Sequence, residues 1–243
     1  MISSPVLYQI LVSICIGGYM RSLLFGLLFV VAVTNNALAE DIVLKVTVDG
    51  INNGAVIPDD YAYCAVQGSN PSGDGRNMRP TVNWSKGPEG TQSYAIIMVD
   101  NDVPTDFTDA SKEGKTISKE MKRQAFYHWI QVNIPSGINS VNAGIGRGSN
   151  KTQPTVGSTV YNDFTKFMAP ERQSEFLGYD GPCPPWNDEL MHHYHFIVHA
   201  LKTDHLSVET TTKTADVVKM IEENSLAHGE VVGNYSLNSA LEN

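Results

Sequence analysis

Three apolar runs of β-type composition, residues 94–99, 126–134 and 192–201, are the strongest periodic segments of this chain, and polar stretches rich in Gly, Asn and Ser separate them. Runs of this length, bounded by turn residues, read as buried strands. Such strands need partners, so the chain must build a sheet core. Weaker segments agree. Residues 42–48 alternate Ile42, Leu44, Val46 and Val48 on one side, residues 80–84 place Val82 and Trp84 on one face, and residues 229–235 form a short closing strand. In residues 214–226, Val217, Val218, Ile221 and Leu226 fall near helical spacing with Thr214 as an N-cap, which reads as a helix. On one strand, residues 126–134, the alternation assigns Phe126, His128, Ile130, Val132 and Ile134 to a single side. Residues 68–80 and 139–159 read as irregular connections, and residues 105–124 as a long surface loop, with a lid as the second reading. The class is mainly β with one or two peripheral helices.

The N-terminus has its own character. Residues 6–33 are almost all apolar or small, broken by Arg21, and end in Ala37-Leu38-Ala39. That is a signal peptide over residues 1–39 with a small-x-small cleavage site; its compact part starts at Met20, so residues 1–19 read as a possible upstream start extension. A retained anchor helix is the rival reading, against which a mid-membrane charge costs about 2.5 to 3.5 kcal/mol. Cys15 follows Ile14, so the small residue that precedes a lipidated cysteine is missing. Cleavage leaves 204 residues, 40–243, enough for one domain with one core and no stable membrane span. The remaining 16 basic and 26 acidic residues give a formal charge of −10, which excludes a globally basic nucleic-acid surface. A periplasmic or secreted location follows from the leader. Cys64 and Cys183 then remain, and an oxidising compartment suggests one disulfide, with two separate buried thiols as the other arrangement.

Polar residues gather at the strand ends. Met98-Val99-Asp100-Asn101-Asp102-Val103-Pro104 sets two carboxylates one residue apart; Phe126-Tyr127-His128-Trp129 opens the second run; Gly178-Tyr179-Asp180-Gly181-Pro182-Cys183-Pro184-Pro185 and His192-His193-Tyr194-His195-Phe196 lead into the third. Three strand ends of this kind can share one pocket.

In order and spacing these motifs resemble the phosphatidylethanolamine-binding protein family, closest to its bacterial YbhB/YbcL-type, Raf kinase inhibitor-like branch. Supporting matches include Asn77-x-x-Pro80-x-Val82-x-Trp84, Asn162-Asp163-Phe164 and the run from Leu226 to Tyr235. The resemblance implies a β-sandwich whose small cavity takes phosphate, acetate or a phosphorylated headgroup, needs no cofactor, and serves binding or inhibition of a protein partner. By motif it assigns Asp100 and Asp102 to the family's Asp-Pro-Asp element, His128 to its His-aromatic element, and His192 and Tyr194 to its Gly-x-His-Arg-Tyr element. Gly181, Pro182 and Cys183 fall on its Gly-Pro-Pro wall. Three departures stand out: Asn101 replaces the proline between the aspartates, His193 replaces an arginine, and no counterpart of the animal members' C-terminal helix follows Tyr235, which leaves the pocket more open there.

The residue chemistry points the same way. A phosphate monoester needs several short-range donors, which imidazoles, a tyrosine hydroxyl and backbone N–H groups supply with little net charge. A carboxylate in such a pocket makes sense if it accepts from a histidine N–H and fixes its tautomer, His128 being the expected partner. Alternation on the third strand sends His192 and Tyr194 to one face and His193 and His195 to the other. The latter two have zinc-pair spacing, but no third ligand is evident, so no metal site is assigned. A weak hydrolase using Asp100 and His128 is the last reading. With no Gly-x-Ser-x-Gly elbow and no free exposed cysteine, the chain reads as non-enzymatic.

Overall fold

The structure, a computed structural model, describes residues 43–146 and 153–241. The leader assigned to residues 1–39 and the strand position of Ile42 lie outside the described residues. Among the described residues twelve strands and one α-helix follow in chain order: β1 (Val46–Val48), β2 (Cys64–Gln67), β3 (Asn70–Asp74), β4 (Met78–Arg79), β5 (Val82–Trp84), β6 (Ser93–Pro104), β7 (Arg123–Pro135), β8 (Ser140–Val141), β9 (Gly144–Ile145), β10 (Ser158–Thr159), β11 (His192–Leu201), α1 (Thr214–Asn224) and β12 (Ser225–Tyr235). The three strong runs are β6, β7 and β11, as expected from composition.

They form the middle of a five-stranded antiparallel sheet of order β10-β7-β6-β11-β12, facing a three-stranded sheet of order β1-β5-β8. Between the two lies the main core, in which Val46, Val82 and Trp84 of the small sheet meet Tyr94, Ile96, Met98, Phe196 and Val198 of the large one. This is the expected sandwich. The outer face of the large sheet carries Ile97, Val99, Ile130 and Val132 against Val217, Val218 and Ile221 of α1. Burying each of those helix side chains is worth about 1.5 to 3 kcal/mol, enough to dock a three-turn helix that would be marginal alone.

Several local expectations are corrected. Residues 68–80 are not an irregular loop: β2 and β3 pair as a hairpin, and β4 then pairs with β9 from within the second expected loop. Thr214 does not cap α1. The cap position is Lys213, and the Thr214 hydroxyl instead donates to Asp163 Oδ1 at 2.7 Å, tying the helix start to a carboxylate that also accepts the Tyr127 N–H of β7. Leu226 belongs to β12 and is exposed.

The larger correction concerns β7, whose side chains do not stay on one side. Met98 pairs with Trp129 and Val99 with Tyr127, which leaves His128 as an extra residue; a second shift, between Tyr94 and Ile96, lies beside Asn133, whose φ is +59°. A one-residue bulge exchanges the faces of everything beyond it. Phe126 and His128 therefore line a cavity beside β6 and β11, Trp129 enters the main core, Ile130 and Val132 turn to the helix side, and Ile134 returns to the main core.

Candidate functional site

A cavity of about 320 Å³ opens where β6, β7 and β11 converge. Its floor is Asp100, His128, His192 and Tyr194, and its walls are largely apolar, with Phe126, Phe164 and Phe167 on one side and Cys183, Pro184 and Pro185 on another. Register explains the floor. Asp100 pairs with Tyr194 across β6 and β11 and with Phe126 across β6 and β7, so three strands deliver neighbouring side chains to one spot.

The two aspartates part company. Strict alternation would put Asp100 and Asp102 on one face, but the register shifts between Asp100 and Val103. Asp100 stays buried, Oδ1 accepting from the Asp102 N–H at 2.7 Å and Oδ2 from His192 Nδ1 at 2.7 Å. Asp102 does not line the cavity; it turns away with His193, its Oδ2 accepting from the His193 backbone N–H at 2.9 Å and from the ring Nδ1 at 2.7 Å. The expected carboxylate partner of His128 is thus replaced by others. His128 Nδ1 donates to the Asp180 carbonyl oxygen at 2.9 Å, which fixes the tautomer and leaves Nε2 as an acceptor.

His192 lies between two carboxylates, Asp100 and Asp188, the latter 3.2 Å from Nε2. Asp188 also accepts from both terminal nitrogens of the Arg123 guanidinium, at 2.5 and 2.9 Å. Two cations and two anions close this row without net charge. Burial works against charging His192, but Asp100 and Asp188 outweigh it and raise its pKa to about 9; burial likewise opposes ionising Asp100, which the adjoining His192 nonetheless holds below the ordinary carboxylate value. His128 goes the other way, lowered by its burial despite the nearby Asp100 charge. One imidazolium and one neutral imidazole thus sit side by side. His192 titrates near 6.5 when unfolded, so its contribution, about 3 kcal/mol at full size, is present below pH 6.5 and lost as pH rises through 9. Urea unfolding followed from about pH 6 to pH 10 should show that decline, and a flat profile would contradict the buried ion row.

Tyr194 completes the floor. It is fully buried, and its hydroxyl leans toward Asp100, whose charge together with burial keeps its pKa well above the ordinary tyrosine value, yet the geometry falls short of a hydrogen bond. An unpaired buried hydroxyl costs about 1 to 3 kcal/mol. Such a group at a cavity floor is a natural contact for a ligand oxygen.

Of the residues expected at the site, Asp100, His128, Cys183, His192 and Tyr194 come together at the cavity. Gly181 and Pro182 stand behind the wall. The Gly181 N–H donates to Asn77 Oδ1 at 2.8 Å, and a Cβ there would stand 1.9 Å from the Tyr61 carbonyl oxygen, so close backbone approach demands glycine. The Pro182 carbonyl accepts from the N–H groups of Tyr63 and Cys64. Beside them Cys64 and Cys183 form a disulfide with Cα atoms 4.7 Å apart, which resolves the choice left open above. His193 and His195 point away, each bonded to its own carboxylate, Asp102 and Glu230. Among the described residues no group of three or more His, Cys, Asp or Glu side chains is placed to hold a metal ion.

Sequence reasoning missed Asp188, Arg123 and the Asp180 support, in which Asn77 and Asn162 donate to the buried carboxylate at 2.6 and 2.7 Å. Asp188 precedes His192 by four residues, and Asn77 and Asn162 stood in the matching motifs, so part of that signal was visible. The segment 105–122 is also no free loop. Phe107, Ala110 and Ser111 line the cavity, and Asn187 Nδ2 donates to the carbonyls of Asp109, Lys112 and Lys115.

Comparison with known proteins bears on this arrangement. Residues 47–236 match the family model of the phosphatidylethanolamine-binding protein. The chain is similar to the UPF0098 protein YbcL of Escherichia coli (strain K12), 31% identical over 68% of this chain and 74% of that one, and to UPF0098 protein YbhB of the same organism, 28% identical over 67% and 84%. The crystal structure of Escherichia coli YbcL, described as a new member of the mammalian PEBP family, superposes with a TM-score of 0.60 at 29% identity, over 80% of this chain and 99% of that one.

Proposed function

The chain belongs to the phosphatidylethanolamine-binding protein family, and from that premise we propose that it is a binding protein whose cavity holds a small anion or phosphorylated headgroup, in the periplasm or outside the cell. The observation that carries this reading is the unpaired Tyr194 hydroxyl buried at the cavity floor, on a ring whose centroid lies 5.2 Å from that of His128, which keeps Nε2 as its acceptor. A monoprotonated phosphate is the complement of that pair: one oxygen accepts from Tyr194 and its own hydroxyl donates to His128. The imidazolium of His192 offsets the charge of Asp100 beside it, so the anion meets a floor without net negative charge although no arginine stands at position 193. Apolar walls exclude water and strengthen each of these contacts.

Binding rather than turnover is proposed because the cavity's cysteine, Cys183, is held in a disulfide and no carboxylate stands against His128 to make it a strong base. The disulfide and the leader at residues 1–39 together support export, with residues 40–243 as the mature domain.

Tyr194→Phe tests the proposal cleanly, since removing an unpaired hydroxyl should leave stability unchanged or slightly raised. Titration with phosphate and with phosphoethanolamine, followed through the imidazole NMR signals, is expected to shift His128 saturably in the parent protein. Affinity should fall about tenfold in Tyr194→Phe. It should rise as pH falls toward 6, because the phosphate group then carries more of the proton that it donates to the neutral His128 ring. Signals that never move would refute the anion pocket.

A further inference from the structure

A second cavity, of about 400 Å³, lies on the other side of the His128–Trp129 bulge and shares none of the residues of the first. Three of its lining residues carry buried polar atoms without a partner: Arg79 Nε, Trp129 Nε1 and Gln131 Oε1. Trp129 and Gln131 are 0% and 1% exposed. Three other polar side chains of the lining are committed. Ser140 donates to Asn83, Thr159 to the Ile130 carbonyl and Tyr179 to the Tyr61 carbonyl.

The orphaned atoms have fixed roles. The Arg79 guanidinium donates through Nη2 to the Asn142 carbonyl and lies 5.5 Å from the Trp129 ring centroid, which leaves its Nε–H free. The Gln131 amide is oriented by its Nε2 donating to the Val156 carbonyl at 2.7 Å, so Oε1 is the free acceptor. Two donors, one of them cationic, and one acceptor therefore border a single space. No carboxylate is among its described lining residues. Buried polar groups are seldom left without a partner, and three around one space point to an occupant that satisfies them.

We propose that this cavity is a second binding site, for a small oxyanion that also bears a hydroxyl: the anionic oxygens accept from Arg79 and Trp129, and the hydroxyl donates to Gln131. Hydrogen phosphate and an α-hydroxycarboxylate both have this chemistry. The volume lies at the low end for ligand pockets and favours the larger, organic kind.

The indole N–H of Trp129, assigned by its loss in Trp129→Phe, reports directly on the site. In the whole protein, lactate and hydrogen phosphate are titrated separately through the millimolar range, with acetate as the hydroxyl-free control. A saturable shift of that signal is expected with at least one of the first two, and a weaker response with acetate. The shift should weaken tenfold or more in Arg79→Gln. Should that variant fail to fold, Gly144→Ala serves instead, because its Cβ would stand 2.8 Å from Arg79 Nη2 and 3.1 Å from Cζ, displacing the guanidinium without deleting it. The response should persist in Tyr194→Phe, which separates it from the first cavity. An indole signal unmoved by lactate and phosphate, a shift unaltered by the Arg79 or Gly144 substitution, or one abolished by Tyr194→Phe would each overturn the second site.

Discussion

His192→Ala is expected to lower the unfolding free energy by about 3 to 5 kcal/mol at neutral pH, the usual loss when one member of a buried ion pair is removed. The ring is 1% exposed and lies between Asp100 and Asp188. Asp188 retains Arg123, but Asp100 would keep only the Asp102 N–H and would face the penalty of a buried, uncompensated carboxylate. That penalty has a pH signature. In the variant Asp100 should titrate above its unfolded value, so the deficit shrinks as pH falls through the raised pKa, and the decline between pH 6.5 and 9 shown by the parent disappears. Urea midpoints for both proteins across that range decide the matter; parallel pH profiles would mean that His192 merely packs.

The disulfide is the second large term. Cys64 and Cys183 are 119 residues apart, and closing a loop of that size in the unfolded chain is worth roughly 5 kcal/mol by chain entropy. The double replacement Cys64→Ser with Cys183→Ser should lose an amount near this in a denaturant titration. The bond also joins β2, which places Tyr63 at the cavity, to the segment bearing Pro184 and Pro185. The variant should therefore bind phosphoethanolamine more weakly than its stability loss alone explains, measured where both proteins are fully folded. Unchanged affinity would confine the bond to stability.

The legible part of this molecule was what side-chain type and period encode. The strands β6, β7 and β11 announced themselves, and the facing of His192 and Tyr194 followed from alternation. Illegibility began wherever register decided the outcome. The shift after Asp100 separates two carboxylates that spacing alone would keep together, and the bulge at His128 could not be seen without the partner strand. His128 took a main-chain carbonyl as its partner, an acceptor every residue owns and none advertises. Residues 68–80 looked irregular because glycine, serine and proline mask a hairpin. Arg123 sat at the end of a stretch dismissed as loop, and its bidentate hold on Asp188 depends on a segment 65 residues further along the chain.

The extra residue at His128 also governs how β7 can vary among descendants of this chain. Phe126 and His128 serve one cavity from one side of the bulge, and Trp129 and Gln131 serve the other from the far side. Losing a single residue there would restore simple alternation and reverse the facing of one half of the strand. Either the first cavity would lose its imidazole or the second its indole. Amino acids along β7 can be exchanged one at a time, but the strand's length at that point is inherited as a unit, and an insertion or deletion would mark a lineage in which at least one of the cavities has been given up.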